Sequence, residues 1–208
     1  MIRDAPWALV PVKRFDHGKS RLGEALSAEA RASLARDMFD RVVGGVLGSL
    51  VKESFLGGVL VITDGADVAE RALSFGAHAL IRPGTSKGRA LGAIVDEGLE
   101  DLVSKGAPSA LVIMADLPSL EATDVRALID QLRTHDVVLA PDAAGTGTNA
   151  LAMRLPAPMR TCFCGGESLA DHVQSARAHG LTIALCERAG LGFDVDQTAD
   201  LARLRATR

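Results

Sequence analysis

Aromatic side chains are scarce in this 208-residue chain, which contains six phenylalanines, one tryptophan and no tyrosine. Proteins that bind single-stranded nucleic acid by base stacking need such rings, so the composition argues against that class of partner. The charges are also nearly balanced, because 23 basic and 26 acidic residues give a formal net charge of −3. A protein without a basic excess has no global attraction for nucleic acid or anionic membrane. We therefore expect neither nucleic acid nor membrane as a partner.

Cysteines and long apolar runs are scarce as well. The three cysteines, Cys162, Cys164 and Cys186, are odd in number and form no Cys-x-x-Cys pair. This pattern favours reduced thiols in a cytoplasmic protein over a disulfide framework or a zinc site. No apolar run approaches the length of a membrane-spanning helix, and the amino terminus lacks the apolar core of a signal peptide. A cytoplasmic location is therefore expected.

Short apolar runs alternate with segments of helical periodicity along the chain. The runs that predict strands are Trp7–Val12, Val59–Thr63, Ala79–Ile81, Leu111–Ala115, Val137–Ala140, Ala150–Arg154 and Thr182–Cys186. Helices are predicted after a Ser27 cap and near residues 66–75, 88–105, 123–134 and 168–179. This alternation predicts an α/β fold of the Rossmann-like type, with a mostly parallel central sheet and helices on both faces. We expect residues 1–208 to form a single domain.

The loop after the first strand resembles a phosphate-binding P-loop only at its end, Gly18-Lys19-Ser20. A P-loop requires a further glycine five residues before Gly18, where this chain has Lys13. The loop therefore offers the cations Lys13, Lys19 and Arg21, in place of the backbone N–H groups of a P-loop. These three residues could also be an ordinary solvated loop.

Ligands of parallel α/β sheets bind at the carboxyl ends of the strands, where this sequence places several acids. The acids that follow predicted strands or lie near the carboxyl terminus are Asp64, Asp116, Asp194 and Asp196. Cations at one place and separated carboxylates at another suit a metal-bound nucleoside triphosphate, since Mg²⁺ takes one or two carboxylates plus phosphate oxygens. Asp116 could instead only cap the next turn, and Asp194 and Asp196 could be turn residues.

The second half of the chain holds a glycine-threonine loop and a histidine. Residues 145–150, Gly-Thr-Gly-Thr-Asn-Ala, formally fit a dinucleotide fingerprint, but a strand rather than a helix is predicted after them. We expect this loop to hold a small anion with free N–H groups and a hydroxyl. Ser168 could be only the N-cap of a helix, and His172 is expected to be only a partly buried helix residue.

Taken together, these segments resemble the guanylyltransferases that activate 2-phospholactate, phosphoenolpyruvate or 3-phosphoglycerate for biosynthesis of the deazaflavin redox coenzyme. The family is similar in fold to the nucleotidyltransferases that make nucleotide sugars and the molybdenum guanine dinucleotide cofactor. The resemblance spans nearly the whole chain and is carried by VPVK and GKSRL at 10–22, MADLP at 114–118, APD at 140–142, GTGTNAL at 145–151, GGES at 165–168 with His172, and DVDQTADL at 194–201.

The resemblance implies a role for each candidate residue. Lys13, Lys19 and Arg21 would line the triphosphate of GTP, with Asp64 also at the nucleotide, and Lys13, Lys19 and Asp116 would be catalytic. Asp116 would hold Mg²⁺ together with Asp194 or Asp196. Thr148, Gly165 and Ser168 would receive the small phosphorylated carboxylic acid, mainly through its carboxylate. A homodimer is the expected assembly.

The implied reaction is transfer of GMP from GTP to the phosphate of the acid, with release of pyrophosphate. The attacking phosphate is already an anion at neutral pH, so no general base is required, which agrees with the lack of a Ser-His-Asp or Cys-His set. Two alternatives stay open. One is a related transferase for a sugar phosphate or a molybdopterin, although the loops of those enzymes generally run glycine-rich before the lysine. The other is a nucleotide-binding module without catalysis, which would not need separated acids for a metal.

Overall fold

The computed structural model describes residues 5–82, 90–163 and 167–206. Seven strands form one sheet: β1 Trp7–Val12, β2 Gly58–Thr63, β3 His78–Ile81, β4 Ser109–Ile113, β5 Val137–Pro141, β6 Thr148–Arg154 and β7 Ile183–Leu185. The α-helices are α1 Ala28–Phe39, α2 Gly48–Lys52, α3 Ala66–Ser74, α4 Leu91–Ser104, α5 Ala122–Gln131, α6 Ser168–Ala178, α7 Ala189–Gly192 and α8 Thr198–Ala206. A π-helical segment, Asp40–Leu47, joins α1 to α2.

The strand order in the sheet is β3-β2-β1-β4-β6-β5-β7, and every neighbouring pair is parallel except the two pairs made by β6. The antiparallel direction of β6 follows from its connection to β5. Only residues 142–147 link these strands, which is too short for a helical crossover. Gly145 allows the tight turn, because its φ of +71° lies in the left-handed region that glycine adopts without strain. As a result, β6 begins at the edge where β4 and β5 end.

Alternate residues of the central strands face opposite sides of the sheet, and each side is covered by helices. On one side, Val10 of β1 belongs to a core with Phe39 of α1 and Leu128 of α5. On the other side, Leu9 of β1 belongs to a core with Leu99 of α4 and with Ala176 of α6. This arrangement confirms the predicted α/β fold with a mostly parallel sheet and helices on both faces.

The element boundaries agree with the predicted ones within a few residues. Ser27 caps α1 as expected, since its side chain accepts a hydrogen bond from the Ala30 amide at 3.2 Å. The fourth strand ends earlier than predicted, at Ile113, although the Met114 amide still donates to the Asn149 carbonyl across the gap to β6. Among the described helices, none has the length and apolar character that a membrane span requires.

Candidate active site

The loop after β1 is held in place by two buried side chains. Phe15 and Leu22 each lie in a short 3₁₀ turn and pack into the protein, whereas Lys13, Ser20 and Arg21 stay exposed between or beside them. The loop is therefore anchored at its apolar positions and presents its polar ones to one side.

Lys19 has a backbone conformation that is unusual for a residue with a side chain. Its φ of 53° and ψ of 37° lie in the left-handed region, whereas Gly18 before it is extended. Such strain at a non-glycine residue is found mostly where the surrounding structure enforces it, often at functional sites. The lysine, rather than the glycine, thus occupies the strained position of the Gly-Lys-Ser segment.

The Lys19 ammonium lies between two of the predicted metal acids. Its Nζ is 2.5 Å from Oδ2 of Asp116 and 2.9 Å from Oδ1 of Asp196. The lysine side chain is only 8% exposed, while those of Asp116 and Asp196 are 28% and 41% exposed. Burial alone would lower the pKa of Lys19, but the two carboxylates outweigh it, so that the pKa is raised and the ammonium stays charged.

The carboxyl-terminal acids are positioned by alternation along an extended segment. Phe193 and Val195 are buried in a small core that also contains Leu22, whereas Asp194 and Asp196 between and after them are only half-buried. This core joins the segment to the loop that carries Lys19. The end of the segment is held by the Asp200 carboxylate, which accepts hydrogen bonds from the backbone amides of residues 196 and 197.

Asp194, the third of the predicted metal acids, lies against the start of β6. Oδ1 of Asp194 accepts a hydrogen bond at 3.2 Å from Nδ2 of Asn149, which also donates to the Leu191 carbonyl at 2.9 Å. Burial raises the pKa of Asp194, and the negative charges of Asp116 and Asp196 add to that effect. The three acids are therefore close enough to repel one another, which a bound cation would relieve.

These acids fit a magnesium ion that takes most of its ligands from phosphate and water. Asp116 and Asp196 already bind one cation, the Lys19 ammonium, from two sides. Within residues 5–82, 90–163 and 167–206, no three His, Cys, Asp or Glu side chains converge as a closed metal cage would require. Mg²⁺ typically uses only one or two protein carboxylates at nucleotide sites, so this donor set suits it.

Two of the other predicted nucleotide residues, Lys13 and Arg21, line a cleft at this ion pair, whereas Asp64 is not among its lining residues. A cleft of about 360 Å³ is lined by residues of the basic loop together with Met114, Asp116 and Asp196. Lys13 lines it and makes no ion pair within the described part of the chain, while the Arg21 guanidinium donates a hydrogen bond to Oδ2 of Asp196 at 3.3 Å and so forms an ion pair with it. Asp64 accepts a hydrogen bond from the Arg14 amide at 3.3 Å, so it ties the basic loop to the end of β2.

The predicted acid-binding residues meet around a buried histidine. Thr148, the first residue of β6, and Ser168, the first residue of α6, are each 5% exposed. Nδ1 of His172 lies 2.7 Å from the Ser168 carbonyl oxygen and 3.2 Å from Oγ1 of Thr148, and its Nε2 accepts the Cys162 amide at 2.9 Å. The expectation that His172 would be only partly buried is wrong, because it is fully enclosed. Gly165, the third predicted member of this site, lies outside the described residues.

The glycine-threonine loop differs from the expected anion loop. The Gly145 amide donates to the Asp142 carbonyl at 3.1 Å, and the Thr146 amide donates to the Asp142 carboxylate at 2.9 Å. These two N–H groups are therefore used inside the β5–β6 hairpin, and the expectation that they are free is wrong. The hairpin instead serves the site by placing Thr148 and Asn149 at the start of β6.

Comparison with known proteins decides the family. A sequence model described as guanylyl transferase CofC like matches residues 7–205. The chain belongs to the CofC-like guanylyltransferase family. It is 37% identical over 202 residues to the phosphoenolpyruvate guanylyltransferase of Rubrobacter xylanophilus, covering 97% of this chain and 94% of that one. It is also 32% identical to the 2-phospho-L-lactate guanylyltransferase of Methanothermobacter thermautotrophicus (95% and 82% covered) and 33% identical to the 3-phospho-D-glycerate guanylyltransferase of Phenylobacterium zucineum (93% and 86% covered).

Solved structures support the fold assignment of this CofC-like chain. A nucleotidyl transferase from Methanothermobacter thermautotrophicus matches with a TM-score of 0.67 at 14% identity, covering 98% of this chain and 97% of that one. The 4-diphosphocytidyl-2C-methyl-D-erythritol synthase of Anaerococcus prevotii matches with a TM-score of 0.58 at 11% identity, covering 99% and 100%. At such low identity these likenesses show the shared fold alone.

Two residues that contact the predicted site residues, Asn149 and His172, were not predicted to belong to the site. Asn149, which holds Asp194, directly follows the predicted Thr148, and the two side chains contact different parts of the protein. A register irregularity between β5 and β6 lies at this point, where Pro141 opposes Thr148. His172 could have been found from its spacing, because residues four apart on a helix share a face and Ser168 is four residues earlier.

Proposed function

We propose that this chain transfers the guanylyl group of GTP to the phosphate of a small phosphorylated carboxylic acid and releases pyrophosphate. The observation that carries the proposal is the bridge from Lys19 to Asp116 and Asp196, which brings a cation and two acids to one cleft. Curated relatives at 32–37% identity are guanylyltransferases for three such acids, which supports this substrate class. Biosynthesis of a deazaflavin coenzyme is the expected setting.

On the nucleotide side, the basic loop neutralises charge. Lys13 and Arg21 are exposed at the cleft and can approach phosphate oxygens without breaking a buried contact. Lys19 is already charged and oriented, so its ammonium can turn from the two carboxylates to the phosphate oxygens of bound GTP. Positioning and charge neutralisation are the main sources of rate enhancement in phosphoryl and nucleotidyl transfer.

On the acceptor side, hydroxyl groups hold the acid so that its phosphate faces GTP. Thr148 and Ser168 lie together beside β6, and the neighbouring Asn149 leads directly to Asp194. A carboxylate held by hydroxyl and amide donors gains charge-assisted hydrogen bonds, which are stronger than neutral ones. A phosphate oxygen of the acid then attacks the α-phosphorus of GTP, the new P–O bond forms as the α–β anhydride bond breaks, and pyrophosphate leaves.

Asp116, with Asp194 or Asp196, is proposed to hold Mg²⁺. When bound, the ion would neutralise charge on the phosphate oxygens. The carboxylates themselves hold positive charge in the cleft. In the ligand-free protein this charge is the Lys19 ammonium. Assembly as a homodimer, a cytoplasmic location and organisation as a single domain stay predictions.

The experiment that tests the function is a substrate panel. The protein is incubated with GTP and Mg²⁺ and with phosphoenolpyruvate, 2-phospho-L-lactate or 3-phospho-D-glycerate in turn, and pyrophosphate release is followed. Glucose 1-phosphate serves as the acceptor control, and ATP and CTP serve as nucleotide controls. Release that requires both GTP and one of the three acids supports the proposal. Release with the sugar phosphate instead would favour the related transferase class.

A further inference from the structure

The His172 imidazole has a defined protonation state that follows from its contacts. Its Nε2 accepts the backbone N–H of Cys162 at 2.9 Å, so Nε2 carries no proton. Burial lowers the pKa of His172, against the smaller opposing effects of the Ser168 carbonyl and of the charges of Asp171 and Asp96. The ring is therefore neutral near pH 7, with its single proton on Nδ1.

The proton on Nδ1 determines how the Thr148 hydroxyl is oriented. Nδ1 donates to the Ser168 carbonyl at 2.7 Å, and Oγ1 of Thr148 lies 3.2 Å from the same nitrogen. A protonated nitrogen cannot accept a hydrogen bond, so Thr148 can meet His172 only as an acceptor. The hydroxyl proton of Thr148 is thereby left to donate elsewhere, as a substrate carboxylate requires.

The same imidazole joins three separate segments of the chain. It contacts the start of β6 through Thr148, the start of α6 through Ser168, and the segment before α6 through Cys162. The Phe163 ring closes one side of it in an edge-to-face contact, with ring centroids 4.7 Å apart. His172 is fully buried, so water does not compete for these contacts.

A second histidine distinguishes the contact within the helix from the contacts between segments. His179, just after α6, also places Nδ1 near the carbonyl four residues earlier, that of Ser175 at 2.8 Å. It is exposed, and its ring has no partner outside its own helix within the described residues. The local bond is therefore ordinary for a helix, whereas the link to Cys162 and Thr148 belongs to the acid site.

We propose that His172 is the positioning residue of the acid site, whose neutral imidazole holds the Thr148 hydroxyl, the start of α6 and the backbone at Cys162 ready for the substrate carboxylate. This inference rests on the proposed function. His172 acts through these groups and touches no reacting atom.

Two substitutions separate the contacts of the imidazole. In His172→Asn, the side-chain amide can replace the Nδ1 donor but is too short to reach the Cys162 amide. In His172→Gln, the side-chain carbonyl can replace the Nε2 acceptor. We expect His172→Asn to raise the KM for phosphoenolpyruvate about tenfold, because a buried N–H loses its acceptor. His172→Gln keeps an acceptor for the Cys162 amide but loses the Nδ1 donor to Ser168 and Thr148, so its acid KM should rise as well, by a smaller factor of about threefold. The KM for GTP should change less than about twofold in both variants.

The control is His179→Asn, which removes only the local bond and should leave both KM values as in wild type. An unchanged acid KM in either variant, or an equal rise in the KM for GTP, would each overturn the proposal. If the wild-type protein uses none of the three acids, the proposed function itself is refuted. If the wild type is active and the His172 variants are unaffected, only the role of His172 is refuted. If His172→Asn does not fold, ¹⁵N NMR of the wild-type imidazole decides: the neutral ring with its proton on Nδ1 is expected, and the opposite tautomer or a charged ring at pH 7 overturns the inference.

Discussion

Replacing Lys19 with alanine removes the cation that lies between Asp116 and Asp196. The two carboxylates would then keep only the exposed Arg21 guanidinium, 3.3 Å from Asp196, as a counter-charge. Breaking a fully buried ion pair costs about 3–5 kcal/mol, which is an upper limit here because both acids are partly exposed. We expect the ligand-free Lys19→Ala protein to lose about 2 kcal/mol of folding free energy, and its melting temperature to fall by roughly 4–8 °C for a chain of this length.

The adjacent serine provides the matched control. Ser20 is exposed, and Ser20→Ala should change the folding free energy by no more than about 0.5 kcal/mol. Thermal melting followed by circular dichroism, with and without Mg²⁺, measures both variants. Mg²⁺ should raise the melting temperature of Lys19→Ala more than that of wild type, because the variant lacks the buried ammonium between its two carboxylates.

Nucleotide affinity and turnover extend the same comparison. If the Gly-Lys-Ser segment acted as a P-loop, Ser20 would hold the metal and Ser20→Ala would be the more damaging change. We expect the reverse order, with Lys19→Ala weakening GTP binding and turnover far more than Ser20→Ala. A Lys19→Ala protein that melts like wild type, or a Ser20→Ala protein that binds GTP more weakly than Lys19→Ala, would contradict the role assigned to Lys19.

Three further predictions concern the acids and the acid site. Asp116→Asn, which is nearly isosteric, should preserve the fold but lower pyrophosphate release by at least about 100-fold, since a metal carboxylate is lost; normal turnover in a folded variant would contradict the assignment. Ser168→Ala should raise the KM of the phosphorylated acid by about ten- to a hundredfold and leave the KM for GTP nearly unchanged, and steady-state kinetics showing the opposite pattern would move the acid site elsewhere. The lowered pKa of His172 means that the unfolded chain takes up a proton more readily than the folded one, so stability should fall as the pH drops through the unfolded value of about 6.5 toward the lower folded pKa. Denaturant unfolding at several pH values should show a smaller loss in His172→Gln, and equal pH dependence in both proteins would argue against a buried neutral imidazole.

Much of the fold could be predicted because its signals are local. The first strand matched Trp7–Val12, and the Ser27 cap and the helix after it were recognisable from polar and apolar spacing. The direction of β6 was not predicted, although the short connection from Pro141 to Thr148 contained the information. The position of β6 between β4 and β5 depends on long-range pairing, which no local pattern encodes.

In the candidate site, too, the residue types could be predicted from the sequence, whereas their contacts could not. The loop cations and the acids were found because the carboxyl ends of parallel strands meet at one edge of the sheet. The sequence could not show that Lys19 lies on the acids rather than free in the cleft, since this depends on contacts 97 and 177 residues apart along the chain. The role of Asn149 and the burial of His172 likewise arise only once α6 and the carboxyl-terminal segment pack against the start of β6.

Guanylyl transfer to a phosphorylated acid can be observed directly by ³¹P NMR of a single reaction. The protein is incubated with GTP, phosphoenolpyruvate and Mg²⁺, and the phosphorus resonances are followed over time. We predict that pyrophosphate and a new diphosphate diester, in which GMP is joined to the acid through its phosphate, appear in equal amounts. Formation of GDP and inorganic phosphate with no such product would contradict it, because that outcome is hydrolysis by an NTPase.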